Sequence, residues 1–377
     1  MQLPAALSLA PPLLALVLAV ATRNVLLSLG LGVVLGFLLS AGLDPLVGTG
    51  ELLVGVGGQL AEASHREVAV IILVIGGFVA LLERSGGMAA FARRIARVVD
   101  TPARAQLSAW LTGLAIFFTD SGNALILGPM FRPIFDGVRI CREKLAFIVD
   151  STSAPVCVLI PFISWGVYIM SLLEQGFEPA GIETPPLTAL MQALPFQIYP
   201  LLALATVPLM TVIGREYGPM ARAQARYLER PAELPQEAPE QTEVGARVVL
   251  LPLAAVLAVL AVMFTVFATR LGTLPGAQVR WSLLAAYGVG TLVAAALLVR
   301  AGRFGWVRSG TTFLRGTLPM LRIVAILLLA WSLGDVCETI GTGDTVAALF
   351  DRALPVGALP ALLFLAGGVF ALSTGSS

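Results

Sequence analysis

The chain contains runs of about 20 residues with almost no charge, long enough to cross the hydrocarbon of a bilayer as helices. Asn24 to Leu43, Arg247 to Thr269 and Trp281 to Val299 are the clearest of them. Composition points the same way: 57% of residues are hydrophobic, 12% are charged and the mean hydropathy is +0.89, where a soluble domain carries about 25% charged residues. The expected fold class is an all-α polytopic membrane protein whose surroundings include the lipid bilayer. A net charge of +1 gives no reason to expect nucleic acid as a partner.

Residues 18–21, "LAVA", resemble a leader-peptidase site, but no Lys or Arg precedes Arg23. A signal peptide carries its positive charge ahead of the apolar stretch, so residues 3–21 read as a retained first span. Further spans are expected near 24–43, 67–83, 145–173, 189–213, 248–270, 281–299 and 317–333. Cys141, Cys157 and Cys337 match no metal spacing. The single histidine, His65, sits among polar residues outside these spans, so a histidine-based metal site is not expected.

Lys and Arg set orientation, because short loops rich in them stay cytoplasmic. Arg84, Arg93, Arg94, Arg97 and Arg104 precede the apolar segment 105–129, and Arg132, Arg139, Arg142 and Lys144 follow it. A single crossing would force one of these clusters outside. A re-entrant hairpin over 105–129 removes the conflict, with its tip at Thr119-Asp120-Ser121-Gly122-Asn123, where glycine and small polar residues suit a turn. Non-helical backbone at that depth survives only where it is buried in protein or lines a wet cavity. The stretch 174–188 is acidic and reads as external, and 214–247 and 300–322 are basic and read as cytoplasmic. Only Arg66, Arg270 and Arg280 fall in external loops, and the N-terminus is expected outside. Arg93, Arg94 and Arg97 read as the polar face of a surface helix, and Trp165 and Tyr168 as interface anchors.

Aligned with itself, the chain matches 72–123 to 326–377 without a gap, pairing Ile72 with Ile326, Gly87 with Gly341 and Gly113 with Gly367. The shared pattern is a span, a glycine-containing break, an amphipathic stretch and an apolar run ending in small polar residues. "TDSGN" (119–123) falls on "STGSS" (373–377). The charge pattern gives the two copies opposite orientations, the inverted-topology arrangement of secondary transporters. The organisation expected is N-terminal spans over 1–66 and a first repeat over 67–213 with hairpin 105–129 and a broken helix at 145–173. A cytoplasmic linker follows at 214–247, then a second repeat at 248–377. Ser377 falls within the second polar cluster, so the second repeat reads as incomplete and the C-terminal part as truncated.

Charge inside a membrane is costly and usually functional. Asp120 lies at the hairpin tip, and Asp150 heads "DSTSAP", whose hydroxyls and Pro155 discourage a regular helix. An unwound stretch there frees backbone carbonyls, and carbonyls, hydroxyls and carboxylates are the hard oxygen ligands a dehydrated Na⁺ requires. Burial raises a carboxylate's pKa and a bound cation lowers it, so one aspartate can hold either a proton or Na⁺. Simpler roles compete: Asp150 as a helix cap, and Ser151, Thr152 and Ser153 as donors to nearby carbonyls or as small packing residues. Glu83 and Glu338, at span ends, read as interfacial.

The run from Phe117 to Met170, and in particular "GPMFRPIFD", "REKLAFIVDSTSAPVC" and "SWG" within it, resembles the NhaC-type sodium/proton antiporters of the ion transporter superfamily. "LLLAWSLGDVCETIGTG" (327–343) and "ALSTGSS" (371–377) resemble the same family's second-half motifs. The resemblance implies two inverted repeats, each with a re-entrant hairpin and a discontinuous helix, whose tips meet at the ion site. It maps the first-repeat site onto Asp120, Ser121, Asn123, Asp150, Ser151, Thr152 and Ser153. The second maps onto Ser373, Thr374, Gly375, Ser376 and Ser377. Many relatives carry paired acidic residues at the first tip, where this chain has Thr119 followed by Asp120, a departure that bears on proton stoichiometry and cation choice.

The function expected is a transporter and not an enzyme, exchanging Na⁺ (or Li⁺) for H⁺ across the cytoplasmic membrane. Na⁺ would sit at Asp120 and Asp150, with the hydroxyl and amide residues as neutral ligands and no cofactor. The elevator-like motion of relatives suggests a homodimer. The alternative is a Na⁺- or H⁺-coupled carrier of a small carboxylate such as malate or lactate, since hydroxyls and helix N-termini also bind anions. The two aspartates argue against it. An intramembrane hydrolase would need a base or metal beside a serine, and the spans offer no histidine or intramembrane lysine. A passive channel has no need of inverted polar hairpins.

Overall fold

A computed structural model describes residues 5–87, 90, 99–118, 120–177, 180–229, 245–271, 274–353 and a few positions between 357 and 368. Every regular element among them is helical. Four helices are long and apolar enough to cross a membrane: Ala63–Arg84 (α4), Arg247–Leu271 (α13), Gly276–Arg300 (α14) and Trp306–Thr339 (α15). Two bent pairs raise the number to six, and Ala10–Thr22 (α1) and Val25–Ser40 (α2) are shorter apolar helices. Large side chains point away from the protein along these elements, with Val212 81% and Val262 62% exposed. Aliphatic surface on that scale fits hydrocarbon surroundings and a polytopic membrane protein.

The chain divides into two units, residues 1–69 with 321–377 and residues 70–320, so the boundaries fall inside α4 and α15. The first unit holds α1, α2, Pro45–Ala61 (α3), the start of α4, the end of α15 and Thr342–Ala353 (α16). Helix α3 is absent from the expected spans. Its start is nonetheless well specified: Pro45 occupies the first turn and the Asp44 carboxylate accepts from the N–H groups of Leu46 and Val47. The Gln59 amide donates to Asp335, and the His65 ring stacks on Trp331 with centroids 3.8 Å apart. His65 therefore belongs to the first turn of a membrane-length helix and not to a polar loop.

In the second unit, α4 and α15 cross closely. A Cβ on Gly316 would strike Ala80 and the Gly76 backbone, so small residues there let the two helices approach. The hairpin region forms Pro102–Ala115 (α5), a turn over 116–118 and Asp120–Gly137 (α6). At 1.5 Å per residue α5 is about 21 Å long, less than the roughly 30 Å of a bilayer core. Helix α6 runs beyond the expected limit at 129 and takes in Arg132 and Asp136.

The broken helix 145–173 forms three pieces: Arg142–Thr152 (α7), Ala154–Leu159 (α8) and Ser164–Phe177 (α9), the last bent by 42° from the line of the first two. The first break is at Ser153 (φ −89°, ψ −96°), just ahead of Pro155, which brings no N–H to the ladder. A second break at 160–163, around Pro161, goes beyond the single interruption expected.

Two other expectations need correction. The span 189–213 is two helices, Pro186–Ala193 (α10, with a 3₁₀ turn to Phe196) and Ile198–Ile213 (α11), bent by 50°. Within the stretch 214–247, Gly218–Leu228 forms a helix (α12), and 230–244 lie outside the described residues. The span 317–333, with loops on either side, is one 34-residue helix, α15. Arg308, Arg315, Arg322, Asp335 and Glu338 all lie on it, because isolated charged residues set polarity without interrupting a helix. The arginines at 93, 94 and 97 lie outside the described residues.

Candidate functional site

The site is built where α5, α6 and α7 meet. The neutral residues expected there are largely buried: Asn123 is wholly enclosed, and Ser151 and Thr152 are nearly so. The Asn123 Nδ2 donates to the Thr152 carbonyl oxygen at 2.8 Å and more weakly to its Oγ1 at 3.3 Å. That carbonyl lies next to the break at Ser153, where the helical ladder no longer supplies a donor. Asn123 and Thr152, 29 residues apart, are thus brought together. The Asn123 Oδ1 is buried and accepts no hydrogen bond among the described residues. A buried amide oxygen without a donor is costly and is placed to accept a cation or a water.

The hydroxyls behave as their simpler role requires. Thr152 Oγ1 donates to the Ile148 carbonyl at 2.8 Å and Ser153 Oγ to the Val149 carbonyl at 2.7 Å. Each oxygen still has lone-pair capacity, because donation uses the hydrogen alone. Gly113 on α5 makes the junction possible, since a Cβ there would collide with Thr152 Oγ1.

Asp150 is exposed. Helical phase explains it. Leu145, Ile148, Val149 and Thr152 form the buried stripe of α7, whereas Glu143, Ala146 and Asp150 fall on the opposite, exposed stripe. Asp120 opens α6, and only its backbone and that of Ser121 are described. Residues 373–377 lie outside the described residues. Among those described, no three His, Cys, Asp or Glu side chains gather as metal ligands.

Two further carbonyls at the interruptions are satisfied by side chains that carry no cue in the sequence reading. The Cys157 thiol donates to the Phe117 carbonyl at 3.2 Å, closing the turn between α5 and α6. The Tyr287 hydroxyl, from α14, donates to the Phe162 carbonyl at 2.7 Å in the second break. Pro161 is a local cue for that break, but Tyr287 lies in an ordinary apolar run with nothing to mark it. Every freed carbonyl named here has a donor, and the Asn123 amide oxygen has none among the described residues.

A model of the Na⁺/H⁺ antiporter family matches residues 156–377. An uncharacterized protein of Haemophilus influenzae is 28% identical over 388 residues, an alignment covering 98% of this chain and 74% of that protein. No solved structure matches. The family match begins just beyond Asp150–Ser153 and includes Cys157, Tyr287 and the 373–377 cluster.

Proposed function

The chain belongs to the Na⁺/H⁺ antiporter family, and from that premise we propose that it exchanges Na⁺ or Li⁺ for H⁺ across the cytoplasmic membrane at the junction of Asn123 and Thr152. The observation that carries this reading is the buried Asn123 Oδ1, an acceptor without a donor among the described residues, beside the helix interruption at Ser153. A dehydrated cation supplies what that oxygen lacks. Asp150 begins the turn that ends at the break, on the exposed stripe of α7. A carboxylate facing hydrocarbon is costly, so the reading places an aqueous route along that stripe. The aspartate takes a proton from it, and an arriving cation displaces that proton by favouring the ionised form. Competition for one carboxylate couples the two fluxes.

In this reading Asp120, Ser121, Ser151 and Ser153 complete the first-half ligand set, and Ser373, Thr374, Gly375, Ser376 and Ser377 supply the second. The short α5 with α6 acts as a re-entrant hairpin, the two halves are inverted repeats of the NhaC type, and the N-terminus lies outside. The working protein is a homodimer.

The test is reconstitution of the full-length protein in vesicles with an internal pH dye and an imposed pH gradient. Na⁺, Li⁺, K⁺, malate and lactate are added one at a time. Collapse of the gradient with Na⁺ or Li⁺ alone is the expected result. A gradient that moves only when an organic acid is present would replace the exchanger with a carboxylate carrier.

A further inference from the structure

At the end of α6 and α7 remote from Asn123 and Thr152, a dense polar network joins their corner to the segment 216–228. Lys144 is the only lysine of the chain, is 2% exposed, and pairs with Glu216. The Asp136 carboxylate accepts from Arg142 Nε at 3.2 Å and its terminal nitrogen at 3.0 Å, and from the Tyr227 hydroxyl at 2.9 Å. Gln224 clamps the corner backbone: its Oε1 accepts from the Cys141 N–H and its Nε2 donates to the Arg139 carbonyl, both at 2.8 Å. Arg139 holds a left-handed backbone (φ +57°) and donates to the Leu228 carbonyl at 2.7 Å. A non-glycine residue in that region persists only where its surroundings hold it.

We propose that residues 216–228 are a brace, with Lys144, Gln224 and Tyr227 as positioning residues that set the spacing of Asn123 and Thr152. Helices are stiff, and the site lies about 20 Å from Asp136 along α6 and about 15 Å from Arg142 along α7. The corner is therefore the pivot for both. The effect on transport rests on the exchange reading above, whereas the mechanical coupling does not.

Gln224→Ala removes both contacts to the corner backbone. It is expected to raise hydrogen exchange at the amides around Asn123 and Thr152, and to raise the apparent KM for Na⁺ about tenfold with the maximal rate within about twofold. A covalent replacement for the clamp is sought at position 220, because Cys141 Sγ lies 4.0 Å from Met220 Sδ, and its formation is verified before either readout is compared. In Gln224→Ala with Met220→Cys, oxidation should join positions 141 and 220 and restore both the slow exchange and the KM, and reduction should reverse both. Burial pushes the Cys141 thiol above its usual range, so the oxidation is run at alkaline pH. Unchanged exchange at the site in Gln224→Ala, or exchange that the disulfide does not restore, overturns the brace. Exchange that behaves as expected in a protein whose wild type moves no Na⁺ keeps the brace and overturns the antiporter reading.

Discussion

The two ends of the α6–α7 pair differ in kind. At the corner, Asp136, Arg142, Lys144 and Glu216 are charged and paired, with the Asp136 and Lys144 side chains enclosed and those of Arg142 and Glu216 partly exposed, and the corner backbone is matched by Gln224. At the other end the described groups in contact are neutral, and Asn123 keeps a buried oxygen without a described donor. Polar groups retained in a low-dielectric interior are costly unless satisfied. The corner meets that requirement with protein alone, as an anchor does. The junction stops one partner short among the described residues, which is what the proposed cation site requires. Asp150, which the proposal assigns to the junction, lies on the exposed stripe of α7.

The largest effect should come from Asp150→Asn, which keeps shape and removes the charge. Exchange is expected to vanish in the vesicle assay, with insertion and yield at wild-type levels. Full activity in this variant would take Asp150 out of the mechanism and leave the comparison resting on Asn123 alone.

Next is Asp136→Asn, aimed at the anchor. It weakens three hydrogen bonds and leaves Arg142 without its carboxylate, at a cost of about 2 kcal/mol, held to that because Arg142 is 36% exposed. The purified protein should melt a few degrees lower. A variant with unchanged melting would show that the corner is not the anchor its charges imply.

Part of this arrangement is legible in the sequence. Hydroxyls followed by Pro155 call for a break, and the break is at Ser153. The polar tip "TDSGN" and the cluster "DSTS" stand out from apolar surroundings, and Asn123 of one meets Thr152 of the other. The phase of α7 is also there to be read, with Leu145, Ile148 and Val149 set against Glu143, Ala146 and Asp150. The cost of a charge in the membrane singles out Asp150, and the phase says which stripe of the helix carries it. The length of α15 is hidden because its arginines read as loop when they are isolated charges within a long helix. Tyr287 and Gln224 cannot be found from sequence. Each acts on a carbonyl or N–H far away in the chain, and such partners carry no local pattern.

The smallest and most discriminating change is Asn123→Ala. Two effects on folding oppose each other: the Thr152 carbonyl loses its donor, at a cost of about 1–3 kcal/mol, and a buried oxygen without a partner disappears, a gain of similar size. The melting temperature should therefore move little. Cation binding has no such compensation, and the apparent KM for Na⁺ should rise about tenfold, equivalent to roughly 1.4 kcal/mol. A marked fall in melting temperature with an unchanged KM would make Asn123 a strut like those at the corner. The two ends would then differ in charge but not in purpose.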